Sequence, residues 1–539
     1  MYVMNALLSI LLVVTSAFYP QSAKWLEQAE AAKPELHHTL CAPVRMVEPR
    51  ADNTAFQGWR YDASSVSVSE ACSTPLRAGQ VFTFDFGRHM VGYLTLNTRT
   101  LRRCQDAPLR LRVMMGELPA ELNTPLEPWG AWLSRGWMQD EVITIEQVDQ
   151  PVTLSRRMAG RYLKVEVLGA SKDFDCALSS VTFDAVSSAG EEQVRMPENL
   201  SPELQDIYRV SVATLQECMQ TVYEDGPKRD RRLWSGDLYL QSLVNRYSFR
   251  NFDLTKRCLY LFAALAADDG TIISNIIEQP YPHPQIGSYM ITYCLLWNST
   301  LLEYLVDTDD TATAQDLWQV AKRQMEDALS YVGEDYIFDI HKRDVWIFFD
   351  WREHEGLDVS AAMQAACVFA LDQTYDLARR LGRTDEVKRY PDIAAKMRRA
   401  AIKQMYDAKR GVILSGPDRQ LSVQSQTWAV KAGILSGAKA RKALTTALAD
   451  RQAIQPGTPY ATHYVVEAMV LAGMHAEACA YLIDYWGGMV RKGADTFWEA
   501  YDPDNDFLSP YDFFPVNSAC HAWSCTPVYF MQKYPEVFK

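Results

Sequence analysis

Histidine is scarce in this chain of 539 residues, and the spacings that bind metals or nucleotides are missing. The nine histidines form no H-E-x-x-H motif and no pairing with cysteine at zinc-ligand spacing. Asp502, Asp504 and Asp506 imitate the start of a calcium loop, but Phe507 and Phe513 stand where that loop needs glycine and glutamate. The sequence also has no P-loop, no dinucleotide fingerprint and no G-x-S-x-G motif. We therefore expect no metal, no cofactor and no serine-hydrolase chemistry.

Positive charge is also in deficit. The chain has 54 Lys and Arg against 67 Asp and Glu, which gives a net charge of −13 and a pI near 5.3. Nucleic acids and anionic membrane surfaces attract basic proteins, so this balance argues against both as partners. The 14 Trp and 27 Tyr supply flat surfaces of the kind that carbohydrate sites use, although helical cores use them too. Composition alone therefore leaves the substrate open.

Only one long apolar run is present, Ala6–Val14, and it is too short to span a bilayer. Its N-terminal position predicts a secretory signal peptide over residues 1–23, cleaved after Ala17 or Ala23. No Lys or Arg precedes the run, which leaves an uncleaved anchor or a misassigned start as alternatives. We expect a secreted or periplasmic protein without stable membrane insertion after cleavage.

The cysteines do not form a disulfide framework. There are eleven of them, an odd number, at irregular spacing, so most are predicted to be buried thiols. If the chain is exported, a pair such as Cys41 and Cys72 is a candidate for a disulfide bond.

Residues 45–190 have the pattern of a β domain. Apolar and polar residues alternate with period two in short runs separated by polar, glycine and proline turns. The clearest runs are 81–86, 109–113, 142–145 and 162–167. Regularly spaced short strands favour a β-sandwich.

Residues 199–539 have a helical pattern instead. Ser201-Pro202-Glu203 is typical of a helix start, with an N-cap, a first-turn proline and an acid near the positive end. About a dozen helical segments follow. They lie near 203–220, 236–250, 256–267, 287–306, 312–333, 358–382, 386–406, 422–435, 438–450, 460–473, 475–490 and 519–534. Twelve helices fit six hairpins in a closed toroid, and the lack of a fixed-period repeat disfavours a solenoid.

The most informative segment is Asp225–Asp237, which holds three carboxylates and four cations within thirteen residues. Gly226 and Pro227 predict a loop, and an apolar helix follows it. Crowded carboxylates repel one another, so one of them tends to keep its proton near neutral pH, as a general acid must. Trp234 beside these acids suits a sugar site. The alternative is a solvated charge run paired with its own arginines.

Two further clusters lie in predicted loops between helices. One contains Asp350 and Trp351, and the other contains Trp498 and Glu499. Loops of one parity share a face of a toroid, so distant clusters are expected to converge there. Alone, each acid would be interpreted as a cap or surface group, and His521 as a core or capping histidine.

These motifs resemble those of a known family. Asp225–Asp237 resembles the D-C-P-Q-R-E-x-L-G-W-T-G-D signature of the α-L-rhamnosidases of glycoside hydrolase family 78. Thr496–Glu499 resembles the family's T-x-W-E, and Cys520–Ser524 resembles its C-H-G-W-S. The resemblance implies an N-terminal β-sandwich over 45–190 and an (α/α)6 barrel over 199–539. It also implies hydrolysis, with inversion, of terminal α-L-rhamnose from oligosaccharides, polysaccharides or glycosides.

The resemblance also implies roles for individual residues. Asp230 would be the general acid and Glu499 the general base, with carboxyl groups roughly 6.5–9.5 Å apart so that a water fits between base and sugar. The expected sugar contacts are Asp225, Arg229, Trp234, Asp237, Asp350, Trp351, Trp498 and His521.

Three of the departures from the signature bear on the mechanism. Gly226 and Lys228 replace its Cys and Gln, and Asp230 replaces its Glu. The shorter Asp230 side chain leaves open that Asp225 or Asp237 is the acid. It also leaves open a catalytically silent carbohydrate-binding homologue. A six-hairpin glycosidase for another sugar is a further alternative.

Overall fold

The computed structural model describes residues 16–190 and 194–539. No helix in these two ranges is long and apolar enough to cross a membrane. All eleven cysteines lie in them as free thiols, so Cys41 and Cys72 are not bridged.

The first part of the chain is a β domain whose strands are all paired antiparallel in one hydrogen-bonded network. The strands are β1 (His37–Cys41), β2 (Arg45–Ala51), β3 (Trp59–Ala63), β4 (Val81–Arg102), β5 (Leu109–Gly116), β6 (Asp140–Ile145), β7 (Pro151–Thr153), β8 (Met158–Gly169) and β9 (Asp175–Ser187). Two short helices, α2 (Val68–Ala71) and α3 (Pro119–Asn123), lie between strands.

The long strand β4 organises this domain. It pairs with β2, β7, β8 and β9, and its register against β8 shifts between Asp85 and Met90. Alternate side chains of the paired strands meet in a core that includes the fully buried Phe84, Leu163 and Phe183. The strands predicted at 81–86, 109–113, 142–145 and 162–167 lie in β4, β5, β6 and β8. The pattern analysis missed β1, because its residues are exposed or half-exposed and give no alternating signal.

The second part of the chain, 194–539, contains twelve α-helices. They are α4 (Pro202–Cys218), α5 (Ser235–Asn245), α6 (Phe252–Ala264), α7 (Ile291–Thr308), α8 (Thr311–Leu329), α9 (Ser360–Arg380), α10 (Tyr390–Met405), α11 (Val423–Lys431), α12 (Gly437–Ala449), α13 (Pro459–Leu471), α14 (His475–Arg491) and α15 (Pro527–Lys533). Side-chain caps fix several starts: Ser201, Asn251, Asp310 and Thr458 each accept a hydrogen bond from a main-chain N–H of the first turn.

Every second helix belongs to an inner ring. α5, α7, α9, α11 and α13 contact one another in this order, and α15 with the 3₁₀ turn Ala522–Ser524 closes the ring between α13 and α5. Every residue of α5 is buried, as expected for a helix surrounded by protein. Outer helices such as α14 bury one face, and its buried residues include Ala478, Leu482 and Tyr485 at helical spacing. The outer helix α6 is buried along most of its length. The predicted toroid of six hairpins is therefore confirmed.

Short strands lie in the loops at one end of the barrel. β10 (Arg232–Trp234), β11 (Asn275–Ile277) and β12 (His283–Pro284) form one antiparallel sheet, and β13 (Tyr406–Asp407) pairs with β14 (Val412–Ile413). Strands of two or three residues leave no periodicity in the sequence, so the pattern analysis did not predict them.

A helix in front of the β domain, α1 (Ser22–Ala31), packs on α6 of the barrel. Trp25 is buried, and the Tyr19 hydroxyl donates a hydrogen bond of 2.8 Å to the carbonyl of Gly270. The boundary at residue 23 of the predicted signal peptide thus falls inside α1. Residues 1–15 of that peptide, including the apolar run, lie outside the described residues.

Candidate active site

The three acidic clusters meet in a cleft at the end of the barrel where the inner helices begin. The loop 225–234 precedes α5, the segment 346–351 precedes α9, and the segment 499–523 precedes α15. The cleft has a volume of about 310 Å³ and includes Asp225, Asp230, Asp237 and Glu499 in its walls. The predicted contacts Arg229, Trp234, Trp351 and His521 line it too.

Asp225 organises the acidic loop. One carboxylate oxygen accepts a 3.0 Å hydrogen bond from the main-chain N–H of Arg232, and the other lies 3.3 Å from the N–H of Asp230. Its carbonyl accepts from the N–H of Ala522, which ties the loop to the turn that closes the barrel. Burial, with the nearby charge of Asp230, raises the pKa of Asp225 to about 7.

Arg229 stands between the two proposed catalytic carboxylates. Its Nη1 lies 3.0 Å from Asp230 Oδ1, and its Nη2 donates to Glu499. The guanidinium also lies over the Tyr511 ring, 4.1 Å from its centroid. Asp230 and Glu499 therefore contact separate nitrogens of one planar group, which fixes their separation and orientation.

Glu499 is held by several donors. Besides Arg229, the Tyr511 hydroxyl donates to its Oε1, and the N–H of Ser518 lies 3.4 Å from its Oε2. Its side chain is 4% exposed, against 17% for Asp230. Donors therefore reach both carboxylate oxygens and fix the orientation of the group.

Asp237 and His521 form a polar pair deeper in the cleft. Asp237 Oδ1 lies 3.8 Å from His521 Nδ1, and neither atom has a hydrogen-bond partner in the part of the chain that the structure describes. Burial and the Asp225 charge raise the pKa of Asp237 well above its usual range, whereas burial and the Arg229 charge lower the pKa of His521 well below. Both pKa shifts favour the neutral form of the group. Buried polar atoms are rarely left unsatisfied, so this pair is suited to bind hydroxyl groups.

Aromatic rings form the remaining wall. Phe348 and Trp523 stack at 6.1 Å with an interplanar angle of 14°, and Trp234 meets Tyr293 edge-on at 6.2 Å. Trp523 Nε1 donates a 3.0 Å hydrogen bond to the carbonyl of Glu499, so the aromatic wall also positions the base. Flat apolar rings opposite neutral and charged hydrogen-bonding groups suit a sugar ring.

Two predicted sugar contacts lie outside the cleft. Trp498 is 3% exposed and stacks on Phe56 of the β domain at 4.2 Å, because its side chain points away from the cleft into which Glu499 projects. Asp350 is fully buried and accepts a 2.6 Å hydrogen bond from the N–H of Gly457. Burial raises the pKa of Asp350 to about 7. Both residues support loops of the site, and the geometry does not support contacts with the sugar.

The β domain holds the acidic loop from behind through Lys228. Its Nζ lies 3.0 Å from a carboxyl oxygen of Glu117 and 3.0 Å from one of Glu121. Glu117 also accepts from the N–H of Ala519 at 2.5 Å and lies 3.2 Å from His89 Nε2. We call Lys228, Glu117 and Glu121 the interdomain brace.

Burial opposes ionisation within the brace. Burial is the largest single influence on Glu117, but the Lys228 charge, His89 and the N–H of Ala519 together outweigh it and lower the pKa of Glu117 to about 2. Burial raises the pKa of Glu121 to about 7, against the attraction of Lys228. Below pH 7 the brace is therefore one buried ion pair beside one neutral carboxyl group.

Sequence reasoning missed the interdomain brace. It also missed Tyr511 and the β-domain residues Trp132 and Trp137, and these three residues line the cleft. Glu117 and Glu121 flank the start of a short helix and give no sequence signal of their own. Lys228 did give one, as a charge at a position where the resembled signature has Gln.

Comparison with family models gives two matches. Residues 43–185 match the glycosyl hydrolase family 78 alpha-rhamnosidase N-terminal domain. Residues 198–534 match the bacterial alpha-L-rhamnosidase 6 hairpin glycosidase domain. Comparison with curated proteins gives no match.

Several solved structures are similar. A rhamnosidase from Klebsiella oxytoca with rhamnose bound has a TM-score of 0.91 and 36% identity over 95% of this chain and 98% of that chain. A GH78 family rhamnosidase of Bacillus sp. GL1 has a TM-score of 0.72 and 20% identity over 88% of this chain and 49% of that chain. The Streptomyces avermitilis α-L-rhamnosidase complexed with L-rhamnose has a TM-score of 0.64 and 16% identity over 93% of this chain and 44% of that chain. The last two show likeness of fold alone.

Proposed function

This chain belongs to the α-L-rhamnosidases of glycosyl hydrolase family 78, and we propose that it releases a terminal α-L-rhamnosyl residue with inversion at the anomeric carbon. The protein is a glycoside hydrolase, and the rhamnose bound in the Klebsiella oxytoca relative supports this sugar. Rhamnose is a 6-deoxy sugar, so its methyl group suits the aromatic wall. Its hydroxyl groups suit Asp237 and His521. The substrate range follows from the sugar: oligosaccharides, polysaccharides or glycosides that end in L-rhamnose.

The observation that carries the mechanism is the placement of Asp230 and Glu499 on two nitrogens of Arg229. In an inverting hydrolysis, one carboxyl group protonates the leaving oxygen while an ionised carboxylate activates water on the opposite face of the ring. Glu499, held by three donors, is the proposed base.

Asp230 is the proposed acid on geometric grounds. Both oxygens of Asp225 already accept main-chain N–H groups, and Asp237 lies beside His521. Asp230 is the most exposed of the three carboxyl groups, at 17% of its side chain. In this role it donates a proton to the leaving oxygen of the bound substrate.

The stereochemistry provides the test. We expect the first product detected by ¹H NMR during hydrolysis of an α-L-rhamnoside to be β-L-rhamnose, before mutarotation. If α-L-rhamnose forms first, the reaction is retaining and the roles above are wrong. If no rhamnose is released while another glycoside is cleaved, the sugar assignment is wrong.

We also propose that the chain is exported, which the apolar run Ala6–Val14 supports. Cleavage after Ala17 would keep Tyr19 and its bond to Gly270, whereas cleavage after Ala23 would remove Tyr19 and the start of α1. N-terminal sequencing of the mature protein is expected to begin at Phe18. An unprocessed cytoplasmic chain would contradict the proposal.

A further inference from the structure

The aromatic residues of the cleft differ sharply in exposure. Tyr293, Phe348 and Trp523 are between 2% and 4% exposed, whereas Trp346 is 40% and Trp132 is 61% exposed. This gradient gives the cleft an inner part and a rim. The acids lie with the buried rings, so the reacting sugar occupies the inner part and the group attached to it must leave through the rim.

Trp132 is anchored although it is exposed. It belongs to the β-domain segment between α3 and β6, and its Nε1 lies 3.2 Å from the carbonyl of Pro510. Its ring lies 5.5 Å from the ring of Tyr511, the hydroxyl donor to Glu499. An anchored flat side chain binds a partner with little loss of conformational entropy.

Trp346 is anchored on the barrel in a similar way. Its ring meets Phe348 edge-on at 5.9 Å and lies 6.4 Å from Trp351. Arg232 and Gln285, which are hydrogen-bonded at 2.9 Å, also line the cleft. The rim therefore offers two indoles together with polar groups, from both domains.

A second cavity continues beyond Trp132 and Trp351, which line both cavities. Its volume, about 310 Å³, equals that of the first. Arg352, Glu355 and Asp512 supply polar groups in its wall. This volume lies at the lower end of the range for ligand pockets, roughly 300–1,000 Å³, so a unit of the size of the terminal sugar fits.

We propose that Trp132, with Trp346 and the second cavity, binds the saccharide unit to which the terminal rhamnose is attached. Indoles combined with arginine and carboxylates match a pyranose, which has an apolar face and a belt of hydroxyl groups. The substrate class is therefore an oligosaccharide or polysaccharide end rather than a simple aryl glycoside. The inference rests on the proposed rhamnosidase function and adds a role for the β domain in specificity.

The test compares two leaving groups in the same enzyme preparation. The leaving group of α-L-rhamnosyl fluoride is a single fluoride ion, which does not reach the rim. The leaving group of a 1,2-, 1,4- or 1,6-linked α-L-rhamnosyl-hexose is a sugar, which does. We expect Trp132→Ala to lower kcat/KM for the best disaccharide about 10-fold more than for the fluoride, the loss of one aromatic contact. Misfolding would lower both rates equally and leave their ratio unchanged.

Two further variants sharpen the test. Trp132→Phe keeps a flat ring and is expected to restore most of the ratio. Asp512→Asn removes a charge from the second cavity and keeps a residue type that tolerates the left-handed backbone at φ 64°, so it is expected to lower the same ratio. An unchanged ratio in Trp132→Ala and Asp512→Asn would overturn the inference, as would a wild type that cleaves the fluoride but none of the disaccharides. A wild type that cleaves neither would instead overturn the proposed function.

Discussion

At the scale of single residues, Glu499 is the clearest case for replacement. Glu499→Gln keeps the shape of the side chain and removes the charge that activates water. We expect kcat to fall about 10²–10⁴-fold with little change in folding. Steady-state kinetics on an α-L-rhamnoside measures this, with Glu477→Gln on the exposed start of α14 as the matched control. Turnover near the wild-type rate in Glu499→Gln would make Glu499 a structural residue.

Asp230 has a different kinetic signature because protonation matters most for poor leaving groups. Asp230→Asn is expected to lower the rate of hydrolysis of a rhamnosyl disaccharide strongly. It should lower the rate for an aryl rhamnoside with a good leaving group much less. Asp225→Asn and Asp237→Asn serve as matched controls, since their carboxyl groups contact the main chain and His521 instead. If either control shows the leaving-group dependence and Asp230→Asn does not, the acid is misassigned.

The sequence motifs predicted which residues lie at the site, but they did not predict the direction in which each side chain points. Motif spacing identified Asp230 and Glu499, and both line the cleft. Trp498 is adjacent to Glu499 in the same motif, yet it stacks on Phe56. A motif indicates which loop approaches the site, but the direction of each side chain depends on packing against another domain. Tyr511 was missed for the same reason.

At the scale of structural elements, the interdomain brace explains how the acidic loop keeps its position. Lys228→Gln removes the cation that Glu117 and Glu121 share and leaves Glu117 with His89 as its remaining cationic partner. Removing one partner of a buried ion pair typically costs about 3–5 kcal/mol of stability. The double variant Glu117→Gln/Lys228→Gln removes both charges, and we expect it to be more stable than Lys228→Gln alone. Urea unfolding of the wild type, both single variants and the double variant gives the coupling free energy. Additive single effects would show that the two charges do not interact.

The brace also predicts a pH dependence. Folded Glu121 keeps its proton up to about pH 7, whereas the unfolded chain releases it near the ordinary pKa of 4.5. The folded protein thus binds more protons between these values, so this group's contribution to stability is complete below pH 4.5 and is lost as pH rises towards 7. Glu121→Gln is expected to flatten that decline. Unfolding free energies at pH 5, 6 and 7 test this, and parallel profiles for the two proteins would contradict it.

Helices were more predictable than the elements around them. Each of the twelve barrel helices overlaps a predicted segment, because a helix of several turns repeats its apolar pattern. The strands β10 to β12 are too short to repeat any pattern. Helix α1 was assigned to the predicted signal peptide or to no element, since its packing on α6 is a long-range contact.

At the scale of the whole molecule, the β domain takes part in the site. It supplies Glu117 and Glu121 behind the acidic loop, Trp132 and Trp137 at the cleft, and Phe56 beneath Trp498. Sequence patterns predicted both domains, but they did not predict that the active site in the barrel depends on the β domain. A contact between domains joins residues far apart in the sequence and leaves no periodic pattern.

This dependence predicts the behaviour of the barrel alone. A chain of residues 194–539 would leave Lys228 without its carboxylates and expose the ring of Trp498. We expect its kcat/KM on α-L-rhamnosyl fluoride to fall at least about 100-fold, since a misplaced acidic loop costs catalysis even when the leaving group needs no contact at the rim. Full-length Trp132→Ala is the matched comparison, because it alters the rim and keeps the brace. Full activity of the soluble barrel on the fluoride would show that the acidic loop holds its geometry without the β domain.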